Sequence, residues 1–217
     1  MAGKTHRKLT EMYSMLGDHF GPQNWWPGDG PLEMMTGAIL TQNTSWSNVE
    51  KAIDNLKKEN LLSLETLFNL TEEELARFIK PAGYFNIKAK RLKNLVRFLI
   101  DEYEGDLDKF IDKDIYQMRK GLLSVNGVGP ETADSIILYA AKKPVFVIDT
   151  YTHRILSRHN MVEEQVSYHE LQSLFMDNLP AETTLFNEFH ALFVITGKEY
   201  CRKNPKCDIC PLKDWER

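Results

Sequence analysis

The stretch LLSVNGVGPETADSIILYA, residues 122–140, decides how this chain is read. Two apolar helical segments flank a turn with glycine at 127 and 129. Glycine there permits unusual backbone dihedrals and lets another backbone approach closely. Pro130 opens the second segment at a favoured first-turn position, and the free N–H groups of that end form an anion site. Asn126, Gly127, Val128 and Gly129 are therefore expected to receive a phosphate. Many helix pairs turn on glycine, so the following segment, VFVIDTYTHRI, is what makes the pattern specific. In it Asp149 follows a mostly apolar run and is placed to cap the next helix. Capping alone is the ordinary role of such an aspartate. A carboxylate held rigidly at a helix N-terminus also tends to stay ionised, so a catalytic role coexists with capping.

Outward from these segments the chain reads as almost wholly helical. Helices are expected over Thr5–His19, Leu32–Thr41, Ser63–Phe68, Ile87–Tyr103, Ile115–Leu123, Pro130–Ala141, Thr150–His159, Tyr168–Leu179 and Thr183–Tyr200, with another running from an N-cap at Ser47 to Lys58. Thr71, with Glu74 three residues later, fits a capping box that opens a helix to Ile79. Trp25-Trp26-Pro27-Gly28 reads as a loop, since its glycine and proline argue against regular structure. Pro144–Ile148 is rich in β-branched residues but too short and isolated to require a sheet. The Ile87–Tyr103 helix carries Lys88, Lys90, Arg91, Lys93 and Arg97, a run that suits a solvated face or a phosphate-facing one.

The 217 residues suit one large or two small domains with a proper core. Hydrophobic residues at 42% and charged residues at 27% are ordinary for a soluble protein. No apolar run approaches a membrane span. The N-terminus lacks the continuous apolar core of a secretory signal, so a cytoplasmic monomer without membrane association is expected. A net charge of -4 argues against a polyanion partner only if charge is evenly spread. DNA binding depends on local positive charge, and an acidic protein is expected to bind DNA briefly and in a salt-sensitive way. All three cysteines lie in the last seventeen residues, which excludes a disulfide-stapled fold.

VNGVGPETAD followed by VFVIDTYTHRI resembles the helix-hairpin-helix DNA glycosylase superfamily, the endonuclease III-like proteins. The resemblance runs from Leu40-Thr41-Gln42-Asn43-Thr44 to the cysteines. It implies an all-α protein of two helical domains flanking a cleft that takes double-stranded DNA containing damaged bases. One is a six-helix domain with the hairpin over residues 29–143; the other is formed by 1–28 and 144–217. It further implies that the target nucleotide is flipped out and that loss of the base leaves an oxocarbenium-like sugar. Asp149 would stabilise that cation and activate water. Bifunctional members carry a lysine just after the hairpin, whose amine forms a Schiff base with the sugar. Glu131 stands at the matching position here, and Lys120 lies on the other side of the turn. The resemblance therefore implies a monofunctional enzyme that leaves the strand unbroken. Two other readings stand beside it: a glycosylase/lyase for oxidised pyrimidines that uses another amine, and a hairpin DNA-binding module without catalysis.

Asn24-Trp25-Trp26-Pro27, Leu40 to Trp46 and Pro81 to Arg91 are similar to the 3-methyladenine DNA glycosylase III branch. That likeness places Trp25, Trp26, Pro27 and Trp46 around the base. Alkylated purines are cationic and leave readily, and aromatic faces attract cations. The plainer reading has these tryptophans packing under their loop. Gln42 matches the residue that fills the gap left by the flipped base, against the plainer reading of a surface amide at a helix end.

Cys201, Cys207 and Cys210 resemble the iron–sulfur loop of endonuclease III-like proteins and imply a [4Fe–4S] cluster. A fourth cysteine is expected near residue 216, where this chain has Glu216, and the first gap is one residue short. A non-cysteine or external ligand, a metal-free relic loop, and a zinc site short of a ligand all stay open. Arg202, Lys203 and Lys206 of this loop would face DNA phosphates. His153, His159 and His190 are read as structural, since no metal spacing connects them.

Overall fold

Thr71 opens its helix by reciprocal capping: its Oγ1 accepts the Glu74 N–H at 3.2 Å, and Glu74 Oε2 accepts the Thr71 N–H at 2.8 Å. A capping side chain also begins α-helices at Ser63, Asp106, Asp114, Asp149 and Ser167 in the computed structural model, which describes residues 3–215. In chain order the helices are α1 (Lys4–Phe20), α2 (Pro31–Leu40), α3 (Trp46–Lys58), α4 (Leu64–Asn69), α5 (Glu72–Phe78), α6 (Phe85–Tyr103), α7 (Leu107–Ile111), α8 (Ile115–Ser124), α9 (Pro130–Ser135), α10 (Thr150–Arg158), α11 (Tyr168–Met176) and α12 (Thr183–Glu199). A π-helical turn, Ile136–Ala140, continues α9, and 3₁₀ turns occupy Lys80–Ala82 and Cys207–Ile209. There is no strand among the described residues. The N-cap of α3 is Ser45 rather than Ser47, and the two hydroxyls lie 3.1 Å apart. Helix α7, capped by Asp106, falls in a charged stretch that gave no helical signal.

The chain divides into two compact units, Pro27–Lys142 and Met1–Trp26 with Lys143–Arg217. In the first, α2 is buried nearly all round, with Met35, Ala38, Ile39 and Leu40 at 2% exposure or less. A helix apolar on every side belongs at the centre of a core, and α2 packs against α3, α6 and the π-helical turn. Each such leucine or isoleucine contributes about 1.5–3 kcal/mol by leaving water. Helix α6 corrects the reading of its basic run. Lys88 and Lys93 are buried, and neither is solvated or free to meet phosphate. Lys88 Nζ donates to the carbonyls of Leu40 and Ala82 at 2.8 and 2.7 Å. Lys93 Nζ donates to those of Leu67, Phe68 and Leu70. Both satisfy carbonyls at the ends of helices or turns, which have no partner within the helix.

In the second unit, Phe146, Phe175, Phe186, Phe189 and Phe193 form the core. Phe146 stacks on Phe175 at 3.7 Å between centroids, and Phe189 stacks on Phe193 at 4.7 Å. The apolar run Val145–Ile148 is buried without forming a sheet. Side chains satisfy its backbone in place of a ladder. Gln172 Nε2 donates to Phe146 O at 2.7 Å, and the amides of Phe146 and Ile148 meet Met176 Sδ and Tyr168 Oη. This run delivers Asp149 to the start of α10. Helix α10 then lies close on α12, since a Cβ at Gly197 would come within 2.3 Å of Tyr151. No helix among the described residues is long and apolar enough to cross a membrane.

Candidate active site and cysteine loop

In the hairpin, Val125 and Val128 are buried anchors, and the Val128 N–H closes the turn on Val125 O at 3.0 Å. Asn126 is exposed, and its carbonyl accepts from Asn94 Nδ2 at 3.0 Å. The two glycines prove different. Gly127 takes a φ of 97°, and a Cβ there would stand 2.3 Å from Arg91 Cγ. Gly129 is extended, with φ -95° and ψ 179°, and a Cβ there would meet nothing within 4 Å. The expected unusual dihedral therefore holds at Gly127 alone. Nothing inside the fold requires glycine at 129. Beneath the turn, Arg119 pairs with the fully buried Asp134 through Nε–Oδ1 at 2.7 Å and Nη2–Oδ2 at 3.2 Å, tying α8 to α9.

Gln42 lies on this hairpin and is not a free surface amide. Its Nε2 donates to Gly127 O at 3.1 Å and to Thr132 Oγ1 at 3.0 Å, while its Oε1 accepts from Arg91 Nη1 at 2.5 Å. Lys88 holds the carbonyl of Leu40, two residues before Gln42. Burial, followed by the Arg91 charge, pushes the Lys88 ammonium down to about 8.

Asp149 is the N-cap of α10, and its Oδ1 accepts the Thr152 N–H at 2.7 Å. Its Oδ2 lies 3.7 Å from His190 Nε2 of α12; the two side chains are 11% and 7% exposed. Burial alone would push the carboxyl up. The His190 imidazole and the amide and hydroxyl of Thr152 outweigh that effect and hold it below the ordinary carboxylate value. The result is an ionised carboxylate with one oxygen fixed by the backbone and the other against a ring nitrogen. Sequence spacing linked His190 to no metal, and it gave no hint of this contact, which the α10–α12 packing creates.

Trp25, Trp26 and Trp46 are each half-buried, and Pro27 is exposed. Trp25 and Trp26 belong to one unit and meet edge to face, with centroids 5.8 Å apart. Lys198 Nζ stands 5.8 Å from the Trp25 centroid. Pro27 and Trp46 belong to the other unit, where Trp46 opens α3.

The cysteines are free thiols around one cavity of about 40 Å³, whose wall also includes Arg158, His159, Tyr200, Lys206 and Lys213. Arg158 Nη1 lies 3.3 Å from Cys201 Sγ and 2.6 Å from Arg202 O, and Arg154 Nε donates to Cys201 O at 2.6 Å. Burial pushes the Cys210 thiol up, and the proximity of Cys201 and Cys207 adds to that. Among the described residues no three His, Cys, Asp or Glu are placed to hold a single metal ion. A lone zinc, with bonds of about 2.3 Å, needs its sulfurs drawn tightly together. A cluster spreads its thiolates around a larger body, and three soft donors beside three cationic side chains suit it. Glu216, the position expected for a fourth cysteine, lies outside the described residues.

Residues 36–181 match the model of the HhH-GPD superfamily base excision DNA repair protein, and residues 202–215 match that of the iron-sulfur binding domain of endonuclease III. A Methanocaldococcus jannaschii protein named as a DNA repair glycosylase, MJ1434, is 47% identical over 209 residues, covering 95% of this chain and 94% of its own. Endonuclease III of Thermotoga maritima is 29% identical over 185 residues, covering 85% and 81%. Among solved structures, the H. pylori 3-methyladenine DNA glycosylase MagIII bound to 1,N6-ethenoadenine matches with a TM-score of 0.77 at 27% identity, over 90% of this chain and 97% of that one. A non-covalent endonuclease III–DNA complex matches with a TM-score of 0.83 at 22% identity, over 98% and 95%, a likeness of fold.

Proposed function

Because this chain belongs to the HhH-GPD superfamily of base excision DNA repair proteins and is a DNA glycosylase, we propose that it removes alkylated purines such as 3-methyladenine by hydrolysis and leaves the strand unbroken. The observation that carries the hydrolytic half is Glu131. It sits in the first turn of α9 at the hairpin, where a lyase of this kind presents an amine. A carboxylate cannot form a Schiff base with the sugar.

The hairpin backbone receives a phosphate, and the open space over Gly129 is where that approach occurs. Gln42 fills the gap left by the flipped nucleotide. Its three hydrogen bonds make it part of the same rigid surface as the hairpin. As the bond to the base breaks, positive charge grows on the sugar, and the Asp149 carboxylate stabilises it and directs water to the anomeric carbon. His190 and Thr152 keep that carboxylate ionised despite burial.

A cationic base needs little help to leave, so recognition rests on aromatic faces. Trp25, Trp26, Pro27 and Trp46 are assigned that task. The likeness to MagIII points the same way. Cys201, Cys207 and Cys210 would hold a [4Fe–4S] cluster, whose contribution is to order the loop. Arg154 and Arg158 join that loop to α10, the helix that Asp149 caps. The test is Asp149→Asn: base release from methylated DNA is abolished while DNA binding is largely kept, and near wild-type excision refutes the assignment.

A further inference from the structure

We propose that His159 is the fourth protein ligand of the cluster, replacing the cysteine that this chain lacks. The inference rests on the reading of Cys201, Cys207 and Cys210 as cluster ligands. His159 is the C-cap of α10 and follows Arg158, whose guanidinium lies 3.3 Å from Cys201 Sγ. Its side chain forms part of the wall of the cavity that the three thiols line. Its ring meets Trp215 edge-on, with centroids 5.4 Å apart and planes at 80°. Trp215 immediately precedes the position at which a fourth cysteine is expected. The histidine therefore stands at the thiol-lined cavity and beside the residue that leads to the missing ligand.

The other heteroatom side chains of that wall are poorer candidates. Tyr200 and Thr196 offer hydroxyl oxygens, harder donors than the thiolate and imidazole that iron–sulfur centres take. An arginine or a protonated lysine has no lone pair to give. An imidazole has one, and iron–sulfur centres accept imidazole in place of thiolate. A neutral ligand in place of a thiolate leaves the cluster one charge less negative, and replacing cysteine by histidine raises the reduction potential. The charged side chains Arg158, Lys206 and Lys213 around the cavity act in the same direction.

The experiment uses the full-length protein with the cluster in its paramagnetic state, labelled with ¹⁵N-histidine, and reads pulsed-EPR hyperfine coupling. Wild type is expected to show a directly bound ¹⁵N, and His159→Cys to keep the cluster, lose that coupling and show a lower potential. Glu216→Gln is expected to leave the coupling intact. An iron-loaded wild type without ¹⁵N coupling, or a His159→Cys protein that retains it, overturns the ligand assignment and leaves the three-cysteine reading standing. A colourless, iron-free wild type overturns the cluster reading itself, and this ligand with it.

Discussion

Substituting Gly129 by alanine separates the needs of the fold from those of DNA. The backbone at 129, with φ -95° and ψ 179°, is open to any residue, and the new methyl meets nothing within 4 Å. Stability should change by no more than about 0.5 kcal/mol, or rise slightly because alanine has less freedom in the unfolded chain. A phosphate seated on the hairpin amides would meet that methyl. Losing one hydrogen bond to a charged group costs about 1.5–3 kcal/mol, which is roughly a ten- to hundred-fold rise in Kd. Gly127→Ala is the opposite control. It forces a side chain into a left-handed conformation and onto Arg91 at 2.3 Å, at a cost of about 2–5 kcal/mol in stability. The assays are urea unfolding and fluorescence anisotropy on an undamaged duplex at several salt concentrations. A Gly129→Ala protein with wild-type stability and wild-type Kd refutes the claim that phosphate approaches this backbone.

Other outcomes follow from the same geometry. His190→Ala should slow base release by roughly tenfold, the equivalent of about 1.4 kcal/mol, with DNA affinity unchanged. The loss should deepen as pH falls, because burial then lifts the Asp149 carboxyl; single-turnover rates against pH check this. Arg119→Met leaves the buried Asp134 carboxylate without its bidentate partner and should cost about 3–5 kcal/mol in urea unfolding. Lys88 titrates near 8 when folded and 10.5 when unfolded. The unfolded chain therefore binds more protons across that window, and stability should rise with pH through it and be lost as pH falls back. A urea midpoint in wild type that does not rise relative to Lys88→Met between those values contradicts the buried ammonium.

Much of the architecture was legible because it is written locally. The Thr71–Glu74 capping box, the Asp149 cap and the hairpin each depend on residues a few positions apart, and the structure has all three. Features made by distant residues were not legible. Lys88 and Lys93 looked like a surface run, since charge pattern cannot show which carbonyls at distant helix ends need a donor. His190 meets Asp149 only because α10 and α12 pack closely at Gly197. Gln42 was read as the gap-filling residue, with a surface amide as the plainer reading, and neither reading showed that Arg91 and the hairpin hold its side chain. At Gly129 the glycine suggested an unusual dihedral, whereas the backbone there is extended and only the missing Cβ is notable.

Hydrolytic excision without strand cleavage stands or falls on one reaction. Purified protein is incubated with methylated duplex DNA. The released base is identified by mass, and the same sample is run on a denaturing gel with and without borohydride. Free 3-methyladenine, an intact abasic strand and no protein–DNA adduct are expected. A nicked strand with a borohydride-trapped adduct would contradict it.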